Sequence, residues 1–258
     1  MSRHAIIVPS FNEEKRFDLA RWENTINRFK FVDWWFVDDG SQDRTFEILK
    51  ELNNQQNAYI LKLDRNYGKA NAIRLGMIEA LDNGYKKSQQ YYSIGFIDSD
   101  NAFDDSDIEI LIKNVESKFD QDFQIIISSR VALSGRKIIR KKSRHYLGRI
   151  IYTFIAWGWE TSPYDTQSGF KLFKVNSNFR QSLNEIFYSR WFVDIELMMR
   201  LSLIEKRLIN IWEVPLLYWK DVEGSKISLT KFPLILVEIF KIRFLVKNTL
   251  KSCGTLIK

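Results

Sequence analysis

Short apolar runs recur along the first half of the chain, and three of them stop at acidic or amide residues instead of ordinary turns. Residues 5–8 run into Pro9-Ser10-Phe11-Asn12, residues 34–37 stop at Asp38-Asp39-Gly40-Ser41, and residues 93–97 stop at Asp98-Ser99-Asp100. Helical patterns over 44–53, 69–81 and 105–115 lie between them, with further strand-like runs at 58–63 and 124–127. Alternation of short apolar runs with helical periodicity predicts an α/β domain built on a largely parallel sheet. Ligands of such sheets sit beyond the carboxyl ends of the strands. Asn12, Asp38, Asp39, Asp98 and Asp100 are therefore expected to converge on one crevice.

Composition limits what else the chain can be. At 258 residues and 45% hydrophobic it can bury a large core, as one domain or one domain with an appendage. The single cysteine, Cys253, excludes a disulfide framework and a cysteine-rich zinc module, and agrees with a reducing compartment. Of the only two histidines, His4 precedes a strand and His145 sits among basic residues, which argues against a histidine metal site or triad chemistry. No signal peptide is read at the N-terminus, and no apolar run reaches the length of a membrane span. The nearest, 232–246, is broken by Glu238, Lys241 and Arg243. It reads instead as an amphipathic helix, lying on a membrane surface or packed on the domain or a second copy.

The net charge of +7 is matched by Arg136, Lys137, Arg140, Lys141, Lys142, Arg144 and Arg149 alone, a run without an acid. Such a run is either a solvated, flexible loop or a cationic collar for a phosphate or anionic headgroups. Nucleic-acid binding is the reading from a different class. It is disfavoured because no recognised motif is present and Asp98 with Asp100 repel phosphates unless a metal intervenes.

The Asp98-Ser99-Asp100 triplet offers two hard oxygen ligands at a strand end, suited to Mg²⁺ or Mn²⁺ that completes its shell with phosphates and water. Asp-x-Asp also occurs in solvated turns and helix caps. Asp38-Asp39-Gly40-Ser41 fits a turn and cap as well, but capping leaves two adjacent carboxylates unexplained. In Asp64-Arg65-Asn66-Tyr67-Gly68-Lys69, a glycine, two cations and a following helix N-terminus suit a diphosphate. The spacing is neither that of a Walker loop nor of a dinucleotide fingerprint.

Taken with Val8-Pro9-Ser10-Phe11-Asn12-Glu13-Glu14 and Gly68-Lys69-Ala70-Asn71-Ala72, these motifs resemble family-2 inverting glycosyltransferases of the GT-A fold. Asp165-Thr166-Gln167-Ser168-Gly169-Phe170, Arg190-Trp191-Phe192-Val193-Asp194-Ile195-Glu196-Leu197 and Glu223-Gly224-Ser225-Lys226 resemble the dolichyl-phosphate β-glucosyltransferase and dolichol-phosphate mannose synthase group. The resemblance implies a GT-A domain over 1–228 with a C-terminal amphipathic extension over 229–258. It implies a nucleotide-sugar donor, UDP-glucose by preference, with Pro9 and Phe11 near the uracil and Asn12, Glu13 and Asp39 reading the nucleoside. Arg65 and Lys69 would neutralise the diphosphate, and Asp98 and Asp100 would hold the metal, Asp100 also serving catalysis. Asp165 and Gln167 would line the sugar and acceptor site. Arg130, Arg140, Ser143, Arg144 and Lys226 would hold an acceptor phosphate or the donor diphosphate.

The same resemblance implies a polyprenyl phosphate acceptor, used by a cytoplasmic enzyme peripheral to the inner membrane face, with a homo-oligomer left open. Such a phosphate is already anionic and needs no strong base. A saccharide or protein hydroxyl would need one, and Asp165 or Asp194 is the candidate. Asp194 is equally readable as the structural partner of Arg190 or Arg200. A non-catalytic sugar-nucleotide binder is the remaining alternative, although no expected carboxylate is missing. Trp157 and Trp159 flank a sugar or lipid on one reading and fill core or interface on the other.

Overall fold

The computed structural model describes residues 2–86, 90–140, 142–159, 162–220 and 232–254, with the side chains of 85, 86, 142–145, 147, 232 and 233 excepted. Five parallel pairings and one inserted antiparallel strand account for its strands. The apolar runs read from sequence become β1 (His4–Ser10), β2 (Val32–Asp38), β3 (Ala58–Lys62), β4 (Ser93–Ile97) and β5 (Ile125–Ser129). With β7 (Phe170–Lys174) and β8 (Ile211–Pro215) they form one seven-stranded sheet, ordered β3-β2-β1-β4-β7-β5-β8. Strand β7 runs antiparallel between β4 and β5. A two-stranded parallel ribbon pairs β6 (Lys137–Ile139) with β9 (Tyr218–Lys220).

The period of two along the strands divides the core. Ala5, Ile7, Trp35, Val37, Ile94 and Phe96 face α3 (Lys69–Lys86), α7 (Val193–Glu205) and α8 (Phe232–Ser252). Ile6, Val8, Trp34 and Phe36 face the opposite layer, with α1 (Leu19–Arg28) and α4 (Asp105–Phe119). Strands β1, β2, β4 and β5 are buried almost throughout on both faces, which is why those runs read as continuous apolar segments. Side chains set the helix starts on the second layer: Asp18 accepts the Arg21 amide at 3.0 Å, and Asp104 accepts the Ser106 amide.

Two segments were read with alternatives, and the structure bears on both. The basic run is not a loop: it forms β6 and then α5 (Lys142–Ile155), a helix that packs on α8. Of the readings open for the C-terminal segment, packing on the domain is seen. Ile235, Ile239, Ile242, Val246 and Leu250 of α8 are buried in the same core as α3 and α7.

Strands β1 and β4 are neighbours, yet the chain leaves β1 towards β2 on one side and leaves β4 towards the other half of the sheet. A crevice opens at the carboxyl ends where such a reversal occurs.

Candidate active site

Four loops meet at that crevice, and long-range hydrogen bonds fix them to one another. After β1, the Asn12 amide donates to Ser41 Oγ at 3.0 Å, and its Oδ1 accepts the Gln42 amide at 2.9 Å. Asn12 adopts φ +50°, in the left-handed region that asparagine tolerates better than most residues. Its amide side chain thus ties the first loop to the second. Glu13 is buried and ion-paired to Arg16 at 2.8 Å, and its backbone amide donates to Thr45 Oγ1.

Asp39 is buried, and its two carboxylate oxygens accept the Tyr67 and Gly68 amides at 2.7 and 2.9 Å. Burial raises its pKa, and those two amides oppose the rise. Its visible work is to latch the loop that carries Arg65 and Lys69. Arg65 is exposed, its guanidinium over the Tyr67 ring at 4.9 Å. Pro9 closes β1 in register with Val37, and Phe11 is the first half-buried side chain beyond the strand.

Lys69 begins α3 and reaches across to β4, where its ammonium meets Asp98 Oδ1 at 2.5 Å. Burial works to lower the Lys69 pKa, but Asp98, with Asp194 and Asp100 adding charge, outweighs it and the net shift is upward. Asp100 is pushed up to about 6, by burial first and by the Asp98 charge second. Two carboxylates crowded in this way are under-neutralised, which is the condition a divalent cation relieves. Among the described residues no group of three or more His, Cys, Asp or Glu encloses a metal ion. A cation held by Asp98 and Asp100 would therefore take its other ligands from substrate oxygens and water, as hard cations at phosphate sites do. Two buried oxygens at the strand ends lack a hydrogen-bond partner: Ser10 Oγ at the end of β1 and Asp38 Oδ2 at the end of β2.

Gly169 is what lets Asp98 sit here. The Asp98 amide donates to its carbonyl at 3.1 Å, and a Cβ on Gly169 would lie 2.1 Å from Asp98 Oδ2.

The Asp165–Phe170 stretch does not present free catalytic groups. Asp165 is bound bidentately by Arg130, with Nε to Oδ2 at 2.7 Å and Nη2 to Oδ1 at 2.8 Å, and Oδ2 also accepts the Arg130 amide. Burial would raise its pKa, but Arg130, with Arg140 adding charge, brings it down to about 2. An acid that weak as a base has little drive to take a hydroxyl proton at neutral pH. Asp165 is thus placed as the anchor of Arg130, and two of the Arg130 guanidinium nitrogens face that carboxylate. Glu213 of β8 fixes the same turn by accepting the Tyr164 and Asp165 amides, both at 2.9 Å.

Asp194 is paired with neither Arg190 nor Arg200. Its partner is Lys171 of β7, at 3.2 Å, and Gln167 donates to it from the exposed side. Lys171 is 1% exposed, its pKa lowered by burial, and it also donates to the Ser168 carbonyl. Its signal in the sequence was a lysine set among phenylalanines in Phe170-Lys171-Leu172-Phe173. Trp159 is buried and Trp157 exposed. Ser143 and Arg144 lie in the first turn of α5, where side chains are not described. Lys226, with its whole Glu223–Lys226 motif, lies outside the described residues.

A sheet of this order, with paired carboxylates after β4 and a cationic loop after β3, is the GT-A arrangement of glycosyltransferases. The chain belongs to glycosyl transferase family 2, matching that family over residues 5–179. It is 29% identical over 254 residues to the dolichyl-phosphate beta-glucosyltransferase of Trichomonas vaginalis, covering 92% of this chain and 72% of that protein. The Drosophila melanogaster dolichyl-phosphate beta-glucosyltransferase is also 29% identical, over 240 residues, 87% of this chain and 69% of the relative. Among solved structures, glucosyl-3-phosphoglycerate synthase from Mycobacterium tuberculosis, in complex with Mn²⁺, UDP-glucose and phosphoglyceric acid, superposes with a TM-score of 0.61. It is 18% identical, over 99% of this chain and 81% of that one, a likeness of fold.

Proposed function

We propose that the chain transfers glucose from UDP-glucose to the phosphate of a polyprenyl lipid, with inversion, working from the cytoplasmic face of a membrane. The observation that carries the choice of acceptor is the Arg130–Asp165 lock. With Asp165 held near 2 and Asp194 paired to Lys171, neither carboxylate offered by the sequence is free to act as a strong base. An acceptor phosphate is already anionic and needs none. The similarity to dolichyl-phosphate beta-glucosyltransferases across most of the chain supports the same acceptor and sugar.

In this reading Asp39 holds the Tyr67–Gly68 backbone so that Arg65 and Lys69 face the donor diphosphate. Lys69, released from Asp98 when the donor binds, counters the negative charge that gathers on the leaving group. Asp98 and Asp100 hold Mg²⁺ or Mn²⁺, which supplies further charge neutralisation at the departing diphosphate.

The surface of α5 and α8 supports a membrane-facing posture. Among the described residues no helix is long and apolar enough to cross a membrane. Yet Tyr146, Ile150 and Phe154 form an exposed stripe on α5, continued by Trp157 in the turn after it, and Leu234, Val237, Phe240 and Phe244 form another on α8. The stripes join where Phe154 meets Phe240, ring centroids 5.7 Å apart. Exposed Lys241, Lys247 and Lys251 lie on α8, whose one acid, Glu238, is buried. Apolar side chains rimmed by cations suit the boundary of an anionic bilayer.

The test is UDP release in the presence of Mn²⁺ or Mg²⁺ and a panel of sugar nucleotides, with and without polyprenyl phosphate. Lipid-stimulated release from UDP-glucose that is abolished in Asp100→Ala is the expected result. Turnover that lipid phosphate does not stimulate would overturn the acceptor.

A further inference from the structure

Buried carboxylates that the chemistry does not use lie behind the crevice, and one of them comes from the last helix. Glu238 of α8 is 7% exposed, and its Oε2 accepts two hydrogen bonds, from Ser189 Oγ at 2.7 Å and from the Arg190 amide at 3.0 Å. Ser189 Oγ in turn accepts the Trp191 and Phe192 amides, at 3.1 and 2.8 Å, closing the turn that leads into α7. That turn stands directly against the loop after β3. The Arg190 carbonyl accepts the Ala70 amide at 3.0 Å, which satisfies one of the unpaired donors in the first turn of α3. The Arg190 guanidinium donates to Asn66 Oδ1, and its side chain fills the space beside Gly68, where a Cβ would lie 3.0 Å away. Gly68 has φ +87°, so the loop keeps both its conformation and its contact with Arg190 only with glycine there.

The donor loop is thus gripped from two sides: by Asp39 through the Tyr67 and Gly68 amides, and by Arg190 through Asn66 and Ala70. The Asp39 side was legible as an acidic pair at a strand end. The other side depends on a glutamate some fifty positions further along, on a helix with one face exposed and apolar. Building on the glycosyltransferase reading, we propose that Glu238 is a positioning residue for donor binding. It holds the 189–192 turn so that Arg190 keeps Arg65 and Lys69 aimed at the diphosphate. The C-terminal helix is then part of the donor site's support, although it touches no donor atom.

Amide exchange over 66–70 and calorimetric binding of UDP in the presence of Mn²⁺ test this together, on the full chain. Glu238→Leu leaves Ser189 Oγ–H and the Arg190 amide buried without an acceptor, so exchange at 66–70 should accelerate while β2 stays protected. UDP affinity should fall about tenfold or more in the same variant, and Glu238→Gln, which keeps an acceptor oxygen, should recover it to within about threefold. If Glu238→Leu does not fold, Glu238→Asp withdraws the acceptor by one methylene and should show the same two changes more weakly. Unchanged exchange at 66–70 in a folded Glu238→Leu or Glu238→Asp protein overturns the proposal. If the unaltered protein binds no UDP, the donor reading fails, and the exchange result alone decides whether Glu238 positions the loop.

Discussion

Gly169→Ala separates a packing requirement from a chemical one, because the added atom points at a single side chain. The new Cβ would stand 2.1 Å from Asp98 Oδ2 and 2.5 Å from its Cγ, where ordinary contacts begin at 3.4 Å. The glycine backbone cannot retreat freely, since its carbonyl accepts the Asp98 amide at 3.1 Å. The carboxylate must therefore move by more than about 1 Å, and displacement on that scale at a reacting centre costs on the order of a hundredfold in rate. That is about 2.7 kcal/mol of activation free energy. Overpacking of this kind costs about 1–3 kcal/mol of stability, a drop of several degrees in Tm for a chain of this size. Steady-state UDP release titrated with Mn²⁺ reads the first effect and thermal unfolding the second. Gly148→Ala is the control, because a Cβ there meets nothing within 4 Å. A Gly169→Ala protein with kcat and Mn²⁺ dependence within about twofold of the unaltered enzyme would refute the reasoning, since the displacement it rests on predicts a far larger loss.

Acid should weaken the fold through His4, which is 2% exposed, bonded through Nδ1 to Ser93 Oγ at 2.8 Å, and lowered by burial from 6.5 to about 4. The unfolded chain takes up that proton as pH falls through 6.5 while the folded chain resists until about 4. Stability is therefore full above pH 6.5 and declines by about 3 kcal/mol towards pH 4, and denaturant titrations of His4→Gln should show a shallower decline. Asp165→Asn leaves Arg130 buried beside a neutral partner and should cost about 3–5 kcal/mol in urea unfolding at pH 7. Because the Asp165 pKa is depressed to about 2, the ion pair's contribution should persist down through pH 4 and disappear only as pH falls through 2. Phe240→Ser with Phe244→Ser should reduce sedimentation with anionic vesicles at least about tenfold, given the apolar area each ring buries.

The strand ends were legible because each apolar run halts abruptly at acids or asparagine, and a parallel sheet turns such halts into one crevice. Asn12, Asp38, Asp39, Asp98 and Asp100 were read from that rule, and Lys69 from the glycine and cations ahead of a helix start. The α5 helix was not read from the sequence, although Tyr146, Ile150 and Phe154 face outward while Tyr152 and Ile155 face inward. The basic residues that open the helix drew the reading to charge instead of periodicity. Partner choice was hidden for another reason. Arg130 with Asp165, Lys171 with Asp194 and Glu238 with Ser189 join residues brought together only by the sheet and the helices packed on it. Local charge spacing suggested Arg190 or Arg200 for Asp194, but α7 turns Arg200 to Glu196, at 2.7 Å.

The antiparallel β7 between β4 and β5 also dictates an order of assembly. Strands β1 to β4 find all their mutual partners within the first hundred residues of the chain. Strand β5 pairs only with β7 and β8, and β7 begins at Phe170. A ribosome-bound chain can therefore close the half-sheet carrying Asp39 and Asp98 early, while Ile125–Ser129 waits for a neighbour. Pairings of such long sequence separation are slow, and an unpaired apolar strand is exposed to aggregation while it waits. The second half of the sheet, and with it the Arg130–Asp165 lock, can close only once β7 and β8 have been synthesised, and the Glu238 support of the donor loop only after α8.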